Sequence, residues 1–180
     1  MTQVFVSYSH KDEQYLGKGE LIDFLKKGLG RNVKFWYDEA IITGESWNEA
    51  LHENILNSQI AILLISDNFI KSKYIKQTEI RKFFSATIKK FVVFPVIISP
   101  CKPQKIKWLR EIPEKQYIPR NVQSIERDFP KGKGRRDLYK KILAHLENRA
   151  KYVRSPEITP GIPARFCLRS GQEDGMDISV

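Results

Sequence analysis

Six consecutive apolar residues, Ile60-Ala61-Ile62-Leu63-Leu64-Ile65, stand between Gln59 and the polar triplet Ser66-Asp67-Asn68. A run this short, apolar on both alternations, suits a strand buried on both faces, and such strands belong to parallel sheets covered by helices on each side. The residues after it read as a helix. Placed at about 100° per residue, the segment from Tyr74 to Ile88 gathers Ile75, Ile80, Phe83, Phe84 and Ile88 on one apolar face. Glu79 falls between Ile75 and Phe83 on that face. It either sits at the border and pairs with Lys76 or Lys82, as exposed helix charges do, or it points into a cleft at the end of the preceding strand, desolvated enough for chemistry.

The rest of the chain alternates strand and helix. Val4 to Ser9 and Val33 to Tyr37 are rich in β-formers, and Phe91 to Ile98 is a further strand in which Pro95 predicts a bulge or a strand end. Lys115 to Pro119 is a short fifth strand. Leu21, Phe24, Leu25 and Leu29 have helical spacing, and Gly30 is placed to end that helix. Trp47, Leu51 and Ile55 mark a helix opened by Ser46 with Glu49 in a capping box. Asp137 to Ala150 is the last helix. Gly28-Leu29-Gly30 follows a helix instead of opening one, and Gly17-Lys18-Gly19 lacks phosphate-loop spacing, so neither is a nucleotide-binding glycine motif.

This alternation predicts an α/β fold: an open parallel five-stranded sheet, order 2-1-3-4-5, with helices on both faces. In such a sheet the helices after strands one and three leave on opposite faces, and ligands bind in the crevice at the carboxyl ends of those strands. Those ends are Tyr8-Ser9 and Ser66-Asp67. The loop from Asp38 to Ser46 overhangs the same edge. Glu79, about two turns into a helix starting near Ser72, points to the same location as the crevice does.

At 180 residues the chain holds one domain, over residues 1–152, followed by a disordered tail or linker over 153–180, where periodicity stops. The longest apolar runs are too short to span a bilayer, nothing at the start reads as a signal peptide, and Cys101 and Cys167 are too few for a disulfide framework or a zinc site. A cytoplasmic setting is expected. The net charge of +10 is uneven: residues 89–154 carry 18 Lys or Arg against 6 Asp or Glu. Lys131-Gly132-Lys133-Gly134-Arg135-Arg136 lacks interleaved aromatics, so it reads as a solvated basic face in preference to a nucleic-acid site. His10, His52 and His145 show no metal spacing, and no metal is expected.

Four stretches in order resemble a TIR (Toll/interleukin-1 receptor) domain of the bacterial type. They are VFVSYSHKD at Val4 to Asp12, Asp38 through Gly44 to Trp47, ILLIS at Ile62 to Ser66, and Ser72-x-Tyr74-Ile75-x-x-x-Glu79-Ile80. The resemblance covers roughly Thr2 to Ala150. It implies a flavodoxin-like fold and, for many bacterial and plant members, hydrolysis of NAD+ at the nicotinamide-ribose bond, some members making cyclic products. It also implies that Glu79 is the catalytic glutamate. The commoner pattern has Trp four residues before the acid; here Ile75 holds that place and Tyr74 precedes it. NAD+ is then the substrate, and no cofactor is expected.

A single acid suffices for that chemistry. Nicotinamide departs from NAD+ as a neutral molecule, so no general acid is needed, and a carboxylate near the ribose can stabilise the oxocarbenium charge. Tyr8, Trp47 and Tyr74 are candidate aromatic contacts for the substrate rings, and Ser7, Ser9 and Asp38 candidate polar ones. The resemblance implies self-assembly through the loop carrying Ile41, Ile42 and Gly44, with other TIR domains and a fused or separate sensor as partners, in bacterial immune defence. The alternatives are a non-enzymatic TIR scaffold and a virulence TIR interfering with host signalling.

Overall fold

The computed structural model describes residues 1–37, 54, 57–72, 92–105, 108–112, 116–121 and 123–154. Strands β1 (Thr2–Ser7), β2 (Val33–Tyr37), β3 (Ile60–Ile65) and β4 (Val92–Ile97) form a parallel sheet in the order β2-β1-β3-β4. Helices α1 (Leu21–Leu29), α2 (Asp67–Lys71), α3 (Ile125–Asp128) and α4 (Lys133–Arg154) accompany it, with a 3-10 segment at His10–Leu16 after β1.

Every residue of β3 is buried, as its unbroken apolar run requires. Successive side chains point to opposite faces of a strand, so the run divides between two cores. Ile60, Ile62 and Leu64 join Val4, Val6, Phe94 and Val96 under α1 and α4, against Leu21, Ile22, Leu25, Tyr139, Ile142 and Leu146. Ala61, Leu63 and Ile65 join Phe5 and Ile97 on the other face, against Phe69 and Ile70 of α2 and Leu109, Ile112 and Tyr117. Each fully buried aliphatic side chain contributes about 1.5–3 kcal/mol relative to exposure.

Four of the five expected strands are present among the described residues. Of the fifth, expected over Lys115 to Pro119, residues 116–119 are described, and there one parallel bridge is formed, Val96 to Ile118. This bridge also accounts for Pro95, which lies in regular register opposite Leu63 with no bulge. The N–H of Ile97 donates to the Ile118 carbonyl and the N–H of Ile118 to the Pro95 carbonyl, so residues 95 and 97 point their backbone groups away from β3. Proline's missing donor therefore falls on the sparsely paired side of β4, where a proline is tolerated.

Two helices differ from expectation. A short α2 that was not expected begins directly after β3, with the Ser66 hydroxyl accepting the Phe69 N–H at 2.9 Å; the helix expected from near Ser72 to Ile88 lies, past Ser72, outside the described residues. Helix α4 starts at Lys133 and runs to Arg154, beyond the expected Asp137 to Ala150 at both ends. Residues 155–180 lie outside the described residues.

Part of the basic run proves structural. Lys131 pairs with Glu20 at 2.8 Å, and Arg135, its side chain only 12% exposed, lies 3.7 Å from the same carboxylate. Arg135 also donates to the carbonyls of Phe129 and Ile125, closing the end of α3. Tyr139 donates its hydroxyl to Glu20 at 3.1 Å. Burial pushes the Glu20 carboxyl up, but the hydrogen bonds of Lys131 and Tyr139 and the charges of Lys131 and Arg135 outweigh it and hold the group below the usual glutamate value.

Because its folded value is depressed, Glu20 contributes stability above the usual carboxylate range, and that contribution is lost as pH falls. The urea midpoint of the wild type is expected to drop between about pH 6 and about pH 3, and Glu20→Gln is expected to show a shallower drop. A second test concerns the end of α1. Gly30 has φ +63° and ψ −163°, a region only glycine occupies readily, and an added Cβ would meet nothing there. Gly30→Ala is thus expected to cost about 1–3 kcal/mol from backbone strain alone. Gly134→Ala, inside α4 and equally open, is expected to be neutral or to stabilise by up to about 1 kcal/mol.

Candidate functional site at the β1–β3 edge

With β1 beside β3, the carboxyl ends of both strands meet at one edge, Ser7 in register with Leu63. This is where strand order reverses, since β2 follows β1 in sequence but lies on its far side. Beyond Ser7 the chain passes through Tyr8 and Ser9, both half-buried, and turns at His10; beyond Ile65 it passes through Ser66 and enters α2.

Asp12 ties these two exits together. Its side chain is buried, the residue being 3% exposed. Oδ2 accepts the Ser66 hydroxyl at 2.5 Å, and Oδ1 accepts the Asn68 amide at 2.8 Å. Its own N–H donates to the Ser9 carbonyl at 2.7 Å, which closes the turn after β1. A buried carboxylate is costly unless its oxygens are satisfied, and here both are. Ser66 is fully buried and has one proton, which goes to Asp12 while its oxygen caps α2. A hydroxyl so engaged is no nucleophile.

The expected contacts divide as follows. Ser7 is buried at the end of β1. Tyr8 packs partly on the core under α1 and α4 and lies with its ring centroid 5.8 Å from that of His10, the planes tilted by 58°. Ser9 precedes the 3-10 segment without capping it through its side chain. The structure brings these three together beside Ser66, Asp67 and Asn68. Asp38, Ile41, Ile42, Gly44, Trp47, Tyr74 and Glu79 lie outside the described residues.

Two participants at this edge were not foreseen. Asp12 lies in the polar stretch His10-Lys11-Asp12-Glu13, and the one available signal was a short acidic side chain just past a buried strand. Cys101, after β4, is the other. Burial pushes its thiol up to about 12, with the charges of Asp67 and Asp12 adding to the shift, so it remains protonated at neutral pH. A protonated, half-buried thiol is a poor nucleophile and a poor metal ligand. Among the described residues no group of three or more His, Cys, Asp or Glu could hold a metal ion, and no helix is long and apolar enough to cross a membrane.

Residues 4–129 match the family model described as TIR domain. A Sinorhizobium fredii (strain NBRC 101917 / NGR234) protein, named as uncharacterized protein y4lF, is 31% identical over 102 residues, which is 56% of this chain and 31% of that protein. The chain thus spans about a third of that relative's length. Among solved structures, the TIR domains of the activated Roq1 resistosome directly recognizing the pathogen effector XopQ match over 85% of this chain and 77% of that one, at 17% identity and a TM-score of 0.44.

The Cys101 environment can be read directly. With Cys167 replaced by Ser, alkylation of Cys101 at about pH 8 is expected to run at least about a hundredfold slower in the native protein than in denaturant, because so little thiolate is present. Equal rates would place the thiol in water.

Proposed function

The chain belongs to the TIR domain family, and from that premise we propose that it is an NAD+ glycohydrolase, cleaving the nicotinamide-ribose bond with Glu79 as its catalytic carboxylate. The observation that carries the reading is the crossover itself. The carboxyl ends of β1 and β3 lie side by side, tied by Asp12, and the chain runs from α2, ending at Lys71, toward Glu79. A crevice at such a crossover is the default ligand site of an open parallel sheet.

The chemistry follows from the charge of the substrate. The carbon–nitrogen bond between ribose and nicotinamide breaks with its electron pair going to the pyridinium nitrogen, so nicotinamide leaves neutral. Positive charge then develops on the ribose ring, and a carboxylate in a partly dry cleft stabilises it more strongly than water would. Water adds at the same carbon and releases a proton, giving ADP-ribose; closure by an atom of the ADP-ribose itself would give a cyclic product. Tyr8 offers a ring at the mouth of the crevice for a pyridinium or adenine. Self-association through the loop of Ile41, Ile42 and Gly44 belongs to the same proposal, as does a role in bacterial defence with an activating sensor.

Nicotinamide release from NAD+ tests this, measured on concentrated or artificially clustered protein. Glu79→Gln is expected to lower turnover by about a hundredfold or more, the scale on which one preorganised electrostatic group acts. Equal turnover in both proteins would remove Glu79 from the mechanism. No turnover in the wild type under any clustering would leave a TIR scaffold that works through contacts alone.

A further inference from the structure

Asp12 is a buried acid that the reaction proposed above does not use, and its surroundings indicate what it is for. Both carboxylate oxygens are occupied, Oδ2 by Ser66 and Oδ1 by Asn68, and the residue is 3% exposed, so it does not reach a ligand. What it does reach are the two chain exits that frame the crevice. Through its N–H it holds Ser9, and with Ser9 the approach of Tyr8 at the end of β1. Through Ser66 and Asn68 it holds the first turn of α2, the element from which the chain continues toward Glu79.

The partners confirm that the arrangement is directional. Ser66 has a single proton and commits it to Asp12, leaving its oxygen to accept the Phe69 N–H at 2.9 Å. Asn68 gives Asp12 an amide N–H, which a carboxylate accepts and a carboxamide nitrogen in its place would oppose. Only an acceptor-only group satisfies both neighbours at once. Phe69 and Ile70 anchor α2 in the core on one side of the sheet, while Tyr8 is only partly packed on the core of the other side, so the polar link through Asp12 is what joins the two exits directly.

We infer that Asp12 is a positioning residue for the proposed NAD+ cleavage: by clamping the end of β1 to the start of α2 it sets the spacing between the substrate-facing turn at Tyr8-Ser9 and the helical side of the crevice. The inference rests on the enzymatic reading. Its signature is a loss in the reaction step that a loss of folded protein does not explain, since a displacement of about 1 Å remote from the chemistry can cost on the order of a hundredfold in rate.

The experiment is steady-state nicotinamide release by the full chain under clustering, for wild type, Asp12→Asn, Asn68→Ala and Glu79→Gln, with near-UV circular dichroism to establish the folded fraction. Asp12→Asn, corrected for folded protein, is expected to lower kcat at least about tenfold with KM within about threefold of wild type. Asn68→Ala removes one half-buried donor and leaves the fold's core untouched. It is expected to lower kcat in the same sense and to add little to Asp12→Asn when the two are combined, as residues acting as a unit do. Folded variants with wild-type kcat would overturn the positioning role while leaving the enzymatic reading standing. If Asp12→Asn does not fold, Asn68→Ala alone decides in the same way. A clustered wild type that releases no nicotinamide would overturn the enzymatic reading, and the positioning role with it.

Discussion

The fold depends on β3 being apolar on both alternations. A strand with one polar face would have to present that face to water, and the sheet could then be covered only once. Because Ile60, Ile62 and Leu64 enter one core while Ala61, Leu63 and Ile65 enter the other, the strand must lie inside the sheet with elements packed above and below it. That requirement places β1 on one side and β4 on the other, all parallel. Both layers of helix and turn are then arranged around a line six residues long.

A strand buried on both sides ends abruptly when polar residues begin, and its last backbone groups need partners close at hand. At the end of β4, the Ile98 carbonyl takes the Tyr15 hydroxyl at 3.1 Å and the Glu126 N–H at 2.9 Å, drawing the 3-10 segment and α3 against the sheet. Burial there pushes the Tyr15 hydroxyl up to about 12, with the charge of Glu126 contributing, so it stays a donor. At the end of β3 the same need is met by Ser66 and α2, and Asp12 supplies the acceptor that orients them. The candidate site therefore grows out of the way the sheet is closed at one edge.

This division explains what could be read in the sequence. The apolar run of β3, the β-formers of β1 and β2, and the Leu21-Phe24-Leu25-Leu29 spacing with Gly30 behind it are strong local patterns that tertiary packing reinforces, and they appear where expected. The adjoining carboxyl ends of β1 and β3 followed from topology. Asp12, by contrast, looked like a solvated loop acid, because its burial is decided by Ser66 and Asn68, more than fifty residues away. Arg135 looked solvated within its basic run for the same reason, since Glu20 and the end of α3 engage it across the fold. The short α2 was hidden because five residues are too few to show a helical period. Pro95 pointed to a bulge only while β4 was taken to be fully paired on both sides.

The state of the polar groups at the edge also narrows the chemistry that the edge can support. Among the described residues, the Ser66 hydroxyl donates its hydrogen bond to Asp12, Asp12 has both oxygens engaged, and the Cys101 thiol is held protonated by burial and by two carboxylates. None of the three can attack a substrate carbon at neutral pH. What the first two supply is a fixed link between the chain exits after β1 and β3, with half-buried Tyr8 next to it. The reaction proposed above uses none of these three groups, because it needs neither a covalent nucleophile nor an acid for its leaving group. Loss of a neutral base from a cationic nicotinamide riboside meets both conditions, because the substrate carries its own activation and asks of the protein only a fixed negative charge near the ribose. The edge thus fits the proposed reaction through what its polar groups are kept from doing, as much as through where they stand.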